Sequence, residues 1–141
     1  KPNQWDETEL FELYKDKKIM VQRCLSAVRD VGEHSFVFFA GNYSHTMLKT
    51  PKKGDFRVQS FYGGVERPIT PGSNAILEAG KVIQALQSVP LYARVDMVEQ
   101  DSQWLLMELE LIEPQLFLPE IDFNEILNAQ LLPFLSKKWN N

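Results

Sequence analysis

Tyr92-Ala93-Arg94-Val95-Asp96-Met97 and Leu105-Leu106-Met107-Glu108-Leu109-Glu110-Leu111 are the stretches that decide how this chain is read. Both alternate, and a strand turns successive side chains to opposite faces. Alternation places Tyr92, Arg94 and Asp96 on one face and Ala93, Val95 and Met97 on the other. In the second stretch it groups Glu108 with Glu110, opposite Met107, Leu109 and Leu111. Same-face neighbours stand about 6–7 Å apart along a strand, so two such carboxylates repel unless water or a cation lies between them. If the strands pair, Asp96 joins the two glutamates in a hard-oxygen set of the kind Mg2+ takes. On spacing alone the alternative stays open that this is a half-exposed sheet with an acidic wet face.

Outward from these strands, the polar connection Glu99 to Ser102 joins the first, Leu91 to Val98, to the second, Gln103 to Ile112. Upstream, Ser73 is an N-cap candidate for a helix carrying Ile76, Ala79, Ile83 and Leu86 on one face, stopped by Pro90. Ser35 to Ala40 reads as a strand that turns at Gly41-Asn42 and returns through Tyr43 to Leu48. Another strand is expected over Phe56 to Phe61, after a solvated Pro51 to Asp55 loop. Gly63-Gly64, Pro68 and Pro71 mark a second loop. Near the start, Asp6 with Glu9 resembles a capping box, and a helix ends near Asp16 to Lys18 before an apolar strand, Ile19-Met20-Val21. Asp122 with Glu125 repeats that signal for a last helix, which Pro133 should kink or end. The layout predicts an α+β fold, an antiparallel sheet with helices packed on one side.

Of the 141 residues, 44% are hydrophobic and 24% charged, which suits one soluble domain or a large piece of one. A net charge of −4 offers nucleic acid no general attraction. No apolar run approaches the length that crosses a bilayer. One cysteine, Cys24, fits a reducing compartment, and the expected location is cytoplasmic. With no obvious base nearby, Cys24 reads as a buried structural thiol; His34 and His45 lack zinc-type spacing. Phe36, Phe38 and Phe39 read as core. The chain opens on Lys1 and is read as a fragment, a processed product or an incomplete chain.

Taken in order, several motifs resemble one family. They are the hinge-like Met20 to Leu25, Gly32-Glu33, Lys49-Thr50-Pro51 with Arg57, Arg94-Val95-Asp96, and Met107-Glu108-Leu109-Glu110-Leu111-Ile112-Glu113-Pro114. The series is similar to the C-terminal catalytic part of the ATP-grasp ligases, nearest to bacterial glutathione-synthetase-like and cycloserine-biosynthesis ligases. The resemblance implies that ATP and two Mg2+ ions, or Mn2+ in their place, are the cofactors. It implies Asp96, Glu108 and Glu110 as metal ligands, with Glu110 standing where the family usually has Asn. It assigns Lys49 and Arg57 to the phosphates as catalytic and cofactor-binding residues, Gln22, Cys24 and Leu25 to the adenine edge, and Glu33 to the ribose. Ser35 stands where a basic residue is found in the relative that aligns most easily.

The implied reaction joins a small carboxylate to an amine through an acyl phosphate. On this reading residues 1–24 are a remnant of the lid subdomain with the adenine hinge, and residues 25–141 are the catalytic subdomain. The implied partners are the substrates and the missing N-terminal part of the same enzyme, with no nucleic acid, no membrane, and room for a homo-oligomer. A non-catalytic nucleotide-binding module and an interaction domain with an acidic sheet remain as rival readings.

Overall fold

The computed structural model describes residues 7–19, 22–55, 57–58, 60–118 and 122–139. The capping residue Asp6 and the Met20-Val21 core of the first expected strand lie outside them. Helix α1 (Glu7–Tyr14) and the short α2 (Ala27–Asp30) precede a hairpin of β1 (Glu33–Phe39) and β2 (Asn42–Thr50). Then come β3 (Val65–Ile69), α3 (Ser73–Gln84), β4 (Tyr92–Gln100) and β5 (Gln103–Glu110). The chain ends in α4 (Phe123–Ile126), a π-helical turn (Leu127–Leu131) and α5 (Leu132–Trp139).

The sheet runs β3-β2-β1-β4-β5 with every neighbouring pair antiparallel, so the α+β layout expected from alternation is the one observed. Strand β1 is central and buried on both faces. Phe36 and Phe38, with Ala93, Val95 and Met97 of β4, meet Ala75, Ala79 and Ile83 of α3. Burying a side chain the size of Ile83 contributes about 1.5–3 kcal/mol, which is how one amphipathic helix holds this face. On the opposite face Val37, Phe39 and Met47 meet Phe117, Ile126 and Leu131 from the C-terminal segment.

Both hairpin turns are two residues long. Ala40 and Gly41 (φ 50° and 79°) join β1 to β2, and Asp101 and Ser102 (φ 54° and 62°) join β4 to β5. Two positive φ values in succession match the twist of antiparallel strands. Gly41 is required on a second ground, since a Cβ there would lie 2.8 Å from Val89.

Four expectations need correction. The strand foreseen over Phe56 to Phe61 is not formed among the described residues; Ser60–Tyr62 is a 3-10 turn. The Gly-Gly-Pro segment foreseen as loop contains β3, because proline is tolerated on an edge strand, where no second neighbour needs its N–H. Gly72, not Ser73, is the N-cap of α3. Pro133 neither ends nor visibly breaks the last helix. The preceding turn widens to the π register, with the Leu132 N–H bonded to the Leu127 carbonyl, and α5 continues. Asp122 does cap α4, accepting from the N–H groups of Asn124 and Glu125.

Candidate nucleotide and metal site

The face opposite α3 carries the chemistry. Pairing brings Asp96 opposite Glu108, Arg94 opposite Glu110, and Ser35 opposite Asp96. Lys49 reaches across from β2, opposite Glu33. Carboxylate oxygens of Asp96, Glu108 and Glu110 lie within 4.8 Å of one another, so the trio expected from alternation does converge.

The trio is not bare. Lys49 Nζ donates to Asp96 at 2.8 Å and pairs with Glu33 at 2.6 Å. Arg94 grips both oxygens of Asp96, through Nε and Nη2 at 2.9 Å each, and also pairs with Glu110. Asp96 is 1% exposed, and Lys49 and Arg94 are buried as well. A charge so placed is tolerable only when matched. Burial alone would raise the Asp96 carboxyl, but the Arg94 hydrogen bonds and the Lys49 charge outweigh it and hold its pKa below the ordinary value. Glu33 goes the other way. Burial raises it, and Lys49, which it shares with Asp96, only partly opposes the rise. Glu108 is raised by burial and then by the like charges of Glu110 and Asp96. A further cation beside Glu108 would relieve that repulsion, and all-oxygen donors suit a hard divalent ion. The donor set therefore fits Mg2+.

Beside these charges opens a cavity of about 490 Å³ lined by Gln22, Cys24, Leu25, Glu33, Arg57 and Met107, among others. Gln22, Cys24, Leu25, Glu33 and Arg57, the residues expected at adenine, ribose and phosphate, thus border one cavity, while Lys49 lies in the ion cluster next to it. Cys24 is exposed, which corrects the expectation of a buried thiol. Met107 is a second correction. One residue of β5 is extra between the pairs Asp96–Glu108 and Met97–Leu106, and such a bulge breaks strict alternation. Met107 therefore lines the cavity instead of facing away from Glu108.

Other residues were not foreseen as parts of the site. Arg94, the hub of the cluster, was readable as a same-face neighbour of Asp96 but drew no role. Its Nη1 also donates to the Gln115 carbonyl at 3.4 Å, and His45 Nε2 donates to the next carbonyl, Leu116, at 3.0 Å. Together they hold the segment after β5 across this face. A carbonyl only accepts, so His45 carries its proton on Nε2 and accepts from Ser44 Oγ at Nδ1, 2.9 Å away. Ser35, beside Asp96, is fully buried with its hydroxyl unpartnered among the described residues.

An antiparallel sheet carrying this cavity and carboxylate set has the ATP-grasp fold that the motifs suggest. Two solved structures illustrate the likeness. A D-cycloserine synthetase is 25% identical with a TM-score of 0.64, over 79% of this chain and 40% of that one. A D-alanine–D-alanine ligase from Bacillus anthracis, in complex with ATP, is 17% identical with a TM-score of 0.58, over 96% of this chain and 49% of that one. The chain thus spans less than half the length of either. No family model matches the sequence, and no curated protein matches it. Among the described residues no helix is long and apolar enough to cross a membrane.

Proposed function

We propose that the chain is the catalytic, C-terminal part of a Mg-ATP-dependent carboxylate–amine ligase. Residues 1–24 are then the end of the lid subdomain with the adenine hinge, and residues 25–141 the catalytic subdomain. The observation that supports this best is the joining, on one sheet face, of the hinge-lined cavity to a cluster in which the buried Lys49, Arg94 and Asp96 meet further carboxylates. The likeness to a D-cycloserine synthetase supports it independently.

On this reading the Gln22–Leu25 backbone meets the adenine edge, Met107 forms an apolar floor, and Glu33 meets the ribose hydroxyls. Lys49 and Arg57 hold phosphate oxygens, Arg57 with the two-point grip of a planar guanidinium. Asp96, Glu108 and Glu110 would hold two Mg2+ ions, or Mn2+, which would supply neutralisation of charge on the terminal phosphates. A substrate carboxylate oxygen attacks the γ-phosphorus, its bond to the bridging oxygen breaks, and ADP leaves with an acyl phosphate formed. An amine then attacks the acyl carbon, expels phosphate and gives up a proton, making the C–N bond. The protein positions the reactants and stabilises charge without covalent chemistry of its own. Arg94 holds Asp96 and Glu110 in place and adds positive charge to the phosphate side. The other wall of the nucleotide clamp is assigned to the rest of the enzyme, so the isolated chain should show no substrate-dependent ADP release.

Amide NMR spectra of the folded chain, titrated with ATP in the presence of Mg2+, test the binding. Mg-dependent shifts are expected at Gln22 to Leu25, Glu33, Asp96 and Met107. Absence of any shift at these residues would remove the nucleotide reading.

A further inference from the structure

We infer that Tyr62, together with Asp55, sets the direction of the Arg57 guanidinium, which makes Tyr62 a positioning residue for phosphate recognition. The inference rests on the reading of the cavity as a nucleotide pocket and adds to it a part that neither the motifs nor the likenesses assign.

Two loops build the arrangement. In the first, the Asp55 N–H donates to the Lys52 carbonyl at 2.9 Å, closing a four-residue turn in which Gly54 has φ +89°. Positive φ at the third position is the signature of a type II turn and is met most easily by glycine. The turn leads into Asp55, whose carboxylate meets Arg57 two residues ahead. Its Oδ1 accepts from the Arg57 N–H and Nε at 3.1 Å each, and its Oδ2 accepts from Nη2 at 2.6 Å. One edge of the guanidinium is thereby fixed.

The second loop fixes its face. The 3-10 turn Ser60–Tyr62 folds the Tyr62 ring against Arg57, with the guanidinium carbon 4.0 Å from the ring centroid. Gly63 follows with φ +85°, and a Cβ there would stand 3.3 Å from the Lys52 side chain, so the two loops close tightly on each other. With the Nε–Nη2 edge on Asp55 and one face on Tyr62, the Nη1 edge is the one turned away from the carboxylate. Arg57 lines the same cavity as Glu33 and Met107.

The arrangement has a physical use. Arg57's side chain is 45% exposed, and an arginine in that position would otherwise sample many rotamers, all but one lost on gripping a ligand. Asp55 and Tyr62 move that loss from binding to folding. The ring suits the task because a cation is attracted to an aromatic face over a range of in-plane positions, whereas Asp55 alone permits swinging about its hydrogen bonds. Both effects come from the ring, to which the Tyr62 hydroxyl adds a lesser hydrogen-bond interaction with Arg57, so phenylalanine should keep most of what tyrosine supplies.

The test is a titration of wild type, Tyr62→Phe, Tyr62→Leu, Arg57→Ala and the Arg57→Ala/Tyr62→Leu double variant with adenosine and with Mg-ATP. Tyr62→Leu should weaken Mg-ATP binding about two- to fivefold, the worth of one partly exposed cation–π contact, and leave adenosine binding unchanged. Tyr62→Phe should fall between wild type and Tyr62→Leu, closer to wild type, since it keeps the ring and loses only the hydroxyl. In the Arg57→Ala background, Tyr62→Leu should cause no further loss, because its effect passes through Arg57. A loss that is equal for adenosine and ATP, or that persists without Arg57, would make Tyr62 a loop-stabilising residue and overturn the inference alone. Wild-type affinity in Arg57→Ala would do the same. If the wild-type chain binds neither adenosine nor Mg-ATP, the nucleotide reading itself falls and takes this inference with it.

Discussion

One face of the sheet carries two halves built on the same strands and held by opposite means. At one end Val37, Phe39 and Met47 pack on Phe117, Ile126 and Leu131. A few residues along, Glu33, Lys49, Arg94 and Asp96 are locked in ion pairs. Depth does not distinguish them, for Phe39 is 2% exposed and Asp96 is 1%. Their tolerance of change does. The apolar half is stabilised by leaving water and depends on volume more than on the identity of any one partner. The charged half is stable only while every charge is matched, and a ligand that brings its own charges can exchange partners with it. Equal burial thus hides one half that resists rearrangement and one that invites it.

The most severe way to break this contrast is Asp96→Asn. Lys49 and Arg94 would lose the buried carboxylate they share and keep only Glu33 and Glu110 as partners, at a cost of about 4 kcal/mol, and Mg-dependent nucleotide binding would be lost. Urea unfolding measures the first and calorimetry the second. An unchanged unfolding midpoint would show that Asp96 does not anchor the charged half.

Phe39→Ala attacks the other end. It should cost about 3 kcal/mol in the same unfolding experiment, while the folded fraction keeps its affinity for Mg-ATP. A fall in affinity would mean that the halves are not separable.

Within the charged half, Glu108→Gln should weaken Mg2+-dependent binding by about tenfold or more, the scale on which even outer-shell partners of a metal act. Glu113→Gln, at an exposed residue beyond the end of β5, should have little effect. Equal losses from the two would contradict the register of β5.

The smallest effect concerns His45, which ties the C-terminal segment across the boundary of the halves. Burial lowers its pKa, more than the bond to the Leu116 carbonyl raises it, and burial lowers that of His34 too. Groups lowered on folding contribute stability fully present above the unfolded imidazole value of about 6.5, and it is lost as pH falls through the folded value. Unfolding followed from pH 7.5 down to pH 5 should therefore show a loss that is smaller in His45→Gln than in wild type. A loss of the same size in both would clear His45 of the effect.

Much of this could be read from residue order alone. The β4 and β5 faces, the β1–β2 hairpin, the α3 stripe and the Asp122 cap each follow from local periodicity or cap chemistry, and so does the meeting of Asp96 with Glu108 and Glu110. What escaped depends on partners distant in sequence. Nothing within Leu105 to Leu111 announces the extra residue that turns Met107 into the cavity, because a bulge exists only relative to β4. Pro68 looked like loop because its tolerance depends on β3 being an edge. Tyr62 drew no role because the residue it serves lies five positions upstream, across a turn that reads as strand. Arg94 was visible, yet its place as hub appears only when Lys49 and Glu110 arrive from neighbouring strands.

The β5 bulge also has a consequence for how the chain tolerates insertions and deletions. Removing Met107 alone would leave Asp96 opposite Glu108 and Met97 opposite Leu106, now in unbroken succession. The ladder would become more regular, and the carboxylates would keep their partners. Only the cavity would lose one apolar lining side chain, leaving Leu25, Val28 and Val58. A single lost codon at this point would thus spare the ladder while reshaping the cavity, so the cost of the deletion would fall on the cavity and not on the sheet.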